Sequence, residues 1–323
     1  MCASLKEPPV GGFRMVAGLR LFVDERGNGS SRVVFLPGAG SMGLDLLPLH
    51  ERASRAWTSL VYDRAGTGWS QRVPLPRSAR AVTEELRALL ATTGDGSVTL
   101  VGHSLGGLYA RHFANRFPHD IAGLVLLDPA HEDYDASMPI ELTQMRSQNR
   151  MLATLATVLD LATRTRPSRA LLGLLPAVRH YQQLYRSLFE QEMTDWQPDI
   201  REALVTAHTS LDGLAVGLRE SRNVDGLYNE VRKEGGMPDV ATVILSSTGT
   251  DAFRDAVSSG ESPDLLQAES EAKLRLYQRL ATTVSRGEVR PVDGGHVTLP
   301  YRHGGEVIQA VTDVITGAHH PTP

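Results

Sequence analysis

The 323-residue chain predicts a mainly parallel β-sheet flanked by helices on both faces, an α/β architecture interrupted by an inserted all-helical cap. Three observations predict it. Short apolar runs alternate with amphipathic helical patterns through residues 1–133; from 134 to 236 only helical patterns occur; from 237 to 323 the alternation resumes. The expected organisation is therefore a core in two parts, 1–133 and 237–323, with a helical cap over 134–236.

Taken in order, residues 19–24 read as a first strand and 25–31 as a polar, glycine-bearing turn. Residues 32–36 form a short buried strand running into Pro37-Gly38-Ala39-Gly40-Ser41-Met42-Gly43, whose small residues let backbone approach a ligand. A helix is expected over 44–56, then a strand over 58–62 that leads into Asp63-Arg64-Ala65-Gly66-Thr67-Gly68-Trp69-Ser70. Ser78 offers an N-cap to a helix with Val82, Leu86, Leu89 and Leu90 on one face. Residues 98–101 form a strand and 108–117 a helix-compatible run, and a further strand over 122–127 ends in Asp128-Pro129-Ala130-His131-Glu132-Asp133. Within the cap, helices are expected over 142–163, 169–193 and 200–219, with Pro167, Pro176 and Pro198 at boundaries or kinks. Beyond it come a strand over 241–246, the segment Ser247-Thr248-Gly249-Thr250-Asp251, and a long charged helix over 263–285. A last strand over 288–292 ends in Asp293-Gly294-Gly295-His296, and a helix over 305–315 closes the fold.

The chemistry concentrates between the strand at 98–101 and the helix at 108–117, in Gly102-His103-Ser104-Leu105-Gly106-Gly107. A serine on a tight strand-to-helix turn is the nucleophile-elbow pattern. Ser104 must adopt a strained backbone to lift its hydroxyl clear of the sheet, and glycines at 102 and 106 leave it room. The turn also sets the Leu105 N–H at a helix start, where backbone donors and the helix dipole favour a developing anion. Beside such a serine, the glycine-rich loop over 37–43 reads as an oxyanion-hole loop.

Composition excludes several function classes. The net charge of −4 leaves no basic footprint for nucleic acid, and no stretch approaches the apolar length of a membrane span. Cys2 is the one cysteine, so neither an intramolecular disulfide nor a cysteine metal site is expected, and the histidines lack a ligand spacing. The N-terminus lacks a basic region followed by an apolar run, so a cytoplasmic protein without metal or organic cofactor is expected. A homo-oligomer is compatible with the sequence.

With these pieces in place the chain resembles the α/β-hydrolase superfamily over essentially its full length. The residues that carry the resemblance are Gly102 to Gly107, the Asp63-Arg64-Ala65-Gly66-Thr67-Gly68 turn and Gly294-Gly295-His296. It looks most like bacterial hydrolases that combine an Asp-Arg-Ala-Gly-x-Gly-x-Ser segment with a helical cap. The resemblance implies Ser104 as nucleophile and His296 as general base, in the chain order serine, acid, histidine. It implies backbone N–H groups of Leu105 and Ala39 as the oxyanion hole, with Pro37-Gly38 in place of the usual His-Gly pair, so that the histidine support of that loop is missing.

Two aspartates compete for the acid. Asp251 occupies the commoner family position, but an extra charged segment separates it from His296; Asp128 ends the strand after the nucleophile helix, the alternative position, and is the one favoured here. His131 and His208 are weaker candidates for the pocket, and His303 is expected to be structural or exposed. The resulting expectation is a serine hydrolase acting on a carboxylic ester or lactone of a small, partly apolar molecule. Acyltransfer, thioester, amide and perhydrolase chemistry use the same residues, and a non-catalytic small-molecule-binding protein on the same fold is the alternative of a different class.

Overall fold

The structure, a computed structural model, describes residues 7–144, 173–257 and 261–317. Eight strands form one sheet: β1 (Gly12–Val16), β2 (Leu19–Arg26), β3 (Arg32–Leu36), β4 (Thr58–Tyr62), β5 (Val98–His103), β6 (Ile121–Leu127), β7 (Ala241–Ser247) and β8 (Gly287–Val292). Their order is β1-β2-β4-β3-β5-β6-β7-β8. β1 and β2 are antiparallel to each other and β2 to β4, and every other pairing is parallel.

Strand alternation explains why the parallel strands read as continuous apolar runs. Val33 and Phe35 of β3 pack on one face with α1 (Leu47–Ala53) and α12 (Gly304–Thr316). Val34 and Leu36 pack on the other with α2 (Ala79–Leu90), α3 (Leu105–Arg116) and α10 (Pro263–Ala281). Both faces are covered, so successive side chains are all buried. β5, whose six residues are all buried, lies in the middle of the sheet.

Between β6 and β7 the described residues form helices only: α4 (Tyr134–Ser137), α5 (Pro176–Glu192), α6 (Pro198–Thr209), α7 (Leu211–Ser221) and α8 (Val224–Glu234). Pro176 and Pro198 each begin a helix, as residues lacking an N–H are suited to do. The expected helix over 200–219 is instead two, because Ser210 takes extended dihedrals and its Oγ accepts from Gly213 N at 3.0 Å, capping α7. Most of the expected helix over 142–163 lies outside the described residues.

One further expectation is corrected, and three short elements were not anticipated. The helix over 44–56 is a 3₁₀ turn, Gly43–Leu46, followed by only seven residues of α1. The edge strand β1, five residues of alternating exposure, carried too weak a pattern to be read from sequence. A short helix, α9 (Ala252–Val257), follows β7. The remaining short helix, α11 (Leu299–Arg302), follows His296.

Candidate active site

Parallel strands deliver their C-terminal residues to one sheet edge, where ligands bind in open α/β folds. Here that edge receives the loop after β3, Ser104 after β5, Asp128 after β6, Ser247 at the end of β7 and the loop bearing His296 after β8.

Ser104 has φ 52° and ψ −118°, a conformation rarely adopted by a residue with a side chain. Its N–H donates to Leu127 O at 3.0 Å and its carbonyl accepts from Ala130 N at 2.9 Å, so the neighbouring strand holds the strain in place. The flanking glycines are sterically required. A Cβ on Gly102 would lie 2.6 Å from Gly106 O, and one on Gly106 would lie 2.1 Å from Leu36 O.

The structure brings Ser104, His296 and Asp128 into one hydrogen-bonded chain. Ser104 Oγ is 3.1 Å from His296 Nε2, and His296 Nδ1 is 2.6 Å from Asp128 Oδ2. Asp128 is also in the left-handed region, at φ 44°, with its N–H donating to Leu245 O. Its carboxylate further accepts from Ser247 N at 3.2 Å, Ser247 Oγ at 2.7 Å and Lys273 Nζ at 3.0 Å. Burial alone pushes the Asp128 carboxyl up; the Lys273 charge and the His296 and Ser247 hydrogen bonds overcome it and hold the group well below the usual carboxylate range.

Asp251 lies elsewhere. Its Oδ2 accepts from Val297 N at 2.8 Å and Thr298 N at 3.2 Å, and its Oδ1 from Arg254 N at 2.9 Å. It fastens the backbone after His296 and starts α9; it does not meet the imidazole. His103 packs behind His296 with ring centroids 4.9 Å apart, and its Nε2 donates to His296 O at 2.9 Å. Burial pushes its imidazole down to about 4, which keeps it neutral and suited to that single donation.

The loop over 37–43 has a support that sequence reasoning missed. Arg64, 2% exposed, donates from Nη1 to Pro37 O at 2.7 Å and from Nη2 to Gly38 O at 2.8 Å. The same guanidinium pairs with Glu220 of α7, Nε to Oε1 at 3.1 Å and Nη2 to Oε2 at 3.0 Å. Glu220 Oε2 also accepts from Gly40 N at 2.7 Å. A fork of five donors suits this role, because one rigid side chain reaches two carbonyls and a carboxylate. The loop packs directly on the serine: a Cβ on Gly38 would lie 3.3 Å from Ser104 Cβ. Ala39 follows on the cavity wall, and Leu105 is the first residue of α3, where helix amides lack intrahelical partners.

Above these residues lies a cavity of about 810 Å³. The core supplies Ser104 and His296; the inserted helices supply Tyr181, Tyr185, Phe189 and His208. Phe189 stacks on His208 at 4.3 Å and meets Phe253 at 4.8 Å, giving one aromatic wall. His208 Nε2 bonds Asp45 Oδ1 at 2.7 Å. His131 is buried away from the serine, with Nδ1 accepting from Asp133 N at 3.0 Å, and His303 bonds Glu306 at 3.2 Å. Among the described residues no group of three or more His, Cys, Asp or Glu is placed to hold a metal, and no helix is long and apolar enough to cross a membrane.

An uncharacterized protein of Mycobacterium tuberculosis is 29% identical over 148 residues, 46% of this chain and 43% of that protein, so the match spans under half the relative's length. Among solved structures, the enol-lactonase from Burkholderia xenovorans LB400 has a TM-score of 0.60 at 18% identity, covering 94% of this chain and 99% of its own. A putative epoxide hydrolase from Pseudomonas aeruginosa has a TM-score of 0.66 at 15% identity, covering 97% and 98%. At such identities the likeness is one of fold. The sequence profile of the Alpha/beta hydrolase family matches residues 33–310, from β3 to the closing helix, and the chain belongs to that family.

Proposed function

We propose that the protein is a serine hydrolase that cleaves a carboxylic ester or lactone of a small, partly apolar molecule through an acyl-enzyme. The observation that carries this reading is the continuous chain Ser104 Oγ, His296, Asp128 at the floor of a cavity. His296 Nε2 takes the hydroxyl proton as Ser104 attacks the acyl carbon, then returns it to the departing alcohol. Asp128, ionised and held from three other directions, fixes the imidazole with Nδ1 protonated and balances the imidazolium that forms. The amides of Ala39 and Leu105 receive the oxyanion; each such donor contributes about 3 kcal/mol to the transition state in well-studied hydrolases. The His296 side chain is 42% exposed, so water reaches the acyl-enzyme and the second half-reaction follows with the same base.

The insertion over 134–236 acts as a cap, in which Tyr181, Tyr185 and Phe189 of the described helices receive the apolar part of the substrate, over a core made of 1–133 and 237–323. A lactone fits the same chemistry, since its alcohol stays tethered to the acyl group until water arrives. A serine at the elbow argues against epoxide opening, for which relatives use an aspartate there.

The test is turnover of a chain-length series of p-nitrophenyl esters and of simple lactones, with fluorophosphonate labelling alongside. Wild type turns over and is labelled, and Ser104→Ala abolishes both. Folded wild type that neither turns over nor is labelled would overturn the reading in favour of a binding protein.

A further inference from the structure

The acid of the hydrogen-bonded chain carries a partner that the hydrolytic mechanism does not require. The chain contains three lysines against thirty arginines, and one of the three, Lys273, is 8% exposed and lies against Asp128. Its Nζ is 2.9 Å from Asp128 Oδ1 and donates to Ser247 Oγ at 2.7 Å. It belongs to α10, the charged helix that lengthens the sequence between Asp251 and His296. Residues 269, 273 and 277 occupy one face of that helix at successive turns. Glu269 pairs with Arg254 and bonds Tyr134, and Tyr277 Oη donates to Pro129 O at 2.8 Å. This face fastens the segment after β6 from below, with Lys273 at its centre.

We propose that Lys273 is a positioning residue that acts through Asp128 to set the pH at which His296 becomes protonated, keeping the base free in more acid solution than the carboxylate alone would allow. This rests on the catalytic reading of Ser104 and His296. The ammonium lies 3.0 Å from Asp128 Oδ2, and His296 Nδ1 lies 2.6 Å from the same oxygen, so the two nitrogens are no more than 5.6 Å apart. A bare carboxylate beside an imidazole favours the imidazolium; a carboxylate already paired with an ammonium favours it less. The compact ammonium suits the position, because it meets one carboxylate and one hydroxyl without the width of a guanidinium. The other groups facing His296 do not duplicate it. His103 contributes a neutral ring, Ser104 a hydroxyl, and Asp251 is occupied by the Val297, Thr298 and Arg254 amides. Arg254 itself is paired with Glu261 and Glu269.

The experiment compares wild type with Lys273→Met, Lys273→Gln and Lys273→Arg as full chains. Two quantities are read: the NMR titration of the His296 ring and the acidic limb of kcat/KM for a p-nitrophenyl ester. Removing the charge in the Met and Gln variants moves both to higher pH by about 1 unit, as Coulomb's law gives at this separation for a dielectric between protein surface and water. The charge-retaining Arg variant stays at the wild-type position. Gln keeps a hydrogen-bond donor, so it serves if Met does not fold. A ring titration unchanged in both neutral variants, or moved to lower pH, overturns the proposal. The titration needs no turnover, so a wild type without hydrolytic activity would sink the proposed function while leaving this question answerable.

Discussion

Replacing Glu220 by alanine tests whether the inserted helices hold the loop over 37–43, the oxyanion loop of the proposed function. The substitution leaves the Arg64 guanidinium, 2% exposed, with the Pro37 and Gly38 carbonyls as acceptors and no hydrogen-bonded carboxylate. Removing one partner of a buried pair destabilises by roughly 3–5 kcal/mol. The two surviving carbonyl acceptors put this case near the low end, at about 3 kcal/mol. Gly40 N loses its acceptor in the same change, one residue from Ala39. If Ala39 then leaves its place, kcat falls by up to the worth of one oxyanion donor, about a hundredfold to a thousandfold, while KM moves little because the hole acts on the transition state. Urea unfolding and p-nitrophenyl ester kinetics measure the two losses separately. The double variant Arg64→Met, Glu220→Leu discriminates further. It recovers much of the stability, since a well-packed apolar pair replaces a buried ion pair, but not kcat, since the two carbonyls have lost their donor. A Glu220→Ala enzyme that is destabilised by about 3 kcal/mol yet keeps kcat within about threefold would refute the coupling.

Other predictions are narrower. Asp128→Asn should lower kcat by about 10⁴, the cost of the wrong imidazole tautomer, whereas Asp251→Asn should act mainly on stability through the Val297 and Thr298 amides; ester kinetics and thermal melts on both variants distinguish the roles. His103 and His131 are both pushed down to about 4 by burial, so the unfolded chain takes up protons near pH 6.5 that the folded one refuses. Stability should therefore be full above pH 6.5 and fall as pH drops toward 4, by up to about 2.7 kcal/mol per pH unit for the two groups, and His103→Gln should flatten urea midpoints measured across that window. His208 lines both the cavity over Ser104 and a second, largely apolar cavity of about 750 Å³ beside Met42, Trp69 and Val216. His208→Ala should join them and raise the ratio of decanoyl to butyryl ester kcat/KM about tenfold, roughly two newly buried methylenes; an unchanged ratio would show that the wall lies elsewhere.

Residues whose role is imposed by the backbone were the ones legible in sequence. Ser104 shows itself because a strained turn at that point needs glycines at 102 and 106, and the parallel core shows itself because strands buried on both faces must be apolar throughout. His296 and Asp128 came from the resemblance rather than from local pattern, since Asp251 also follows a strand end and the sequence left the two aspartates in competition. The supports were not legible. Arg64 and Glu220 are 156 residues apart, and neither carries a local pattern that points to the other. Lys273 sits in a helix whose heptad-like mixture of charge and leucine reads as a solvated face, and only the scarcity of lysine in the chain singled it out. The break at Ser210 was missed for a related reason: apolar periodicity continues across it, and the serine side chain that caps α7 competes with the helix only locally.

The contact of α7 with the oxyanion loop bears on how this protein could be re-engineered. Gly40 and Gly217 face one another so closely that a Cβ on Gly40 would come within 2.8 Å of Gly217 Cα. Grafting the insertion of a relative onto this core would therefore exchange more than the walls of the pocket. Such a chimera has to bring a carboxylate for Arg64 and a backbone thin enough to pass Gly40. Otherwise it inherits Ser104 beside a loop over 37–43 that has lost its anchor. One helix, α7, both lines the cavity and holds the loop over 37–43, so under the proposed function a change made there for specificity also reaches the rate.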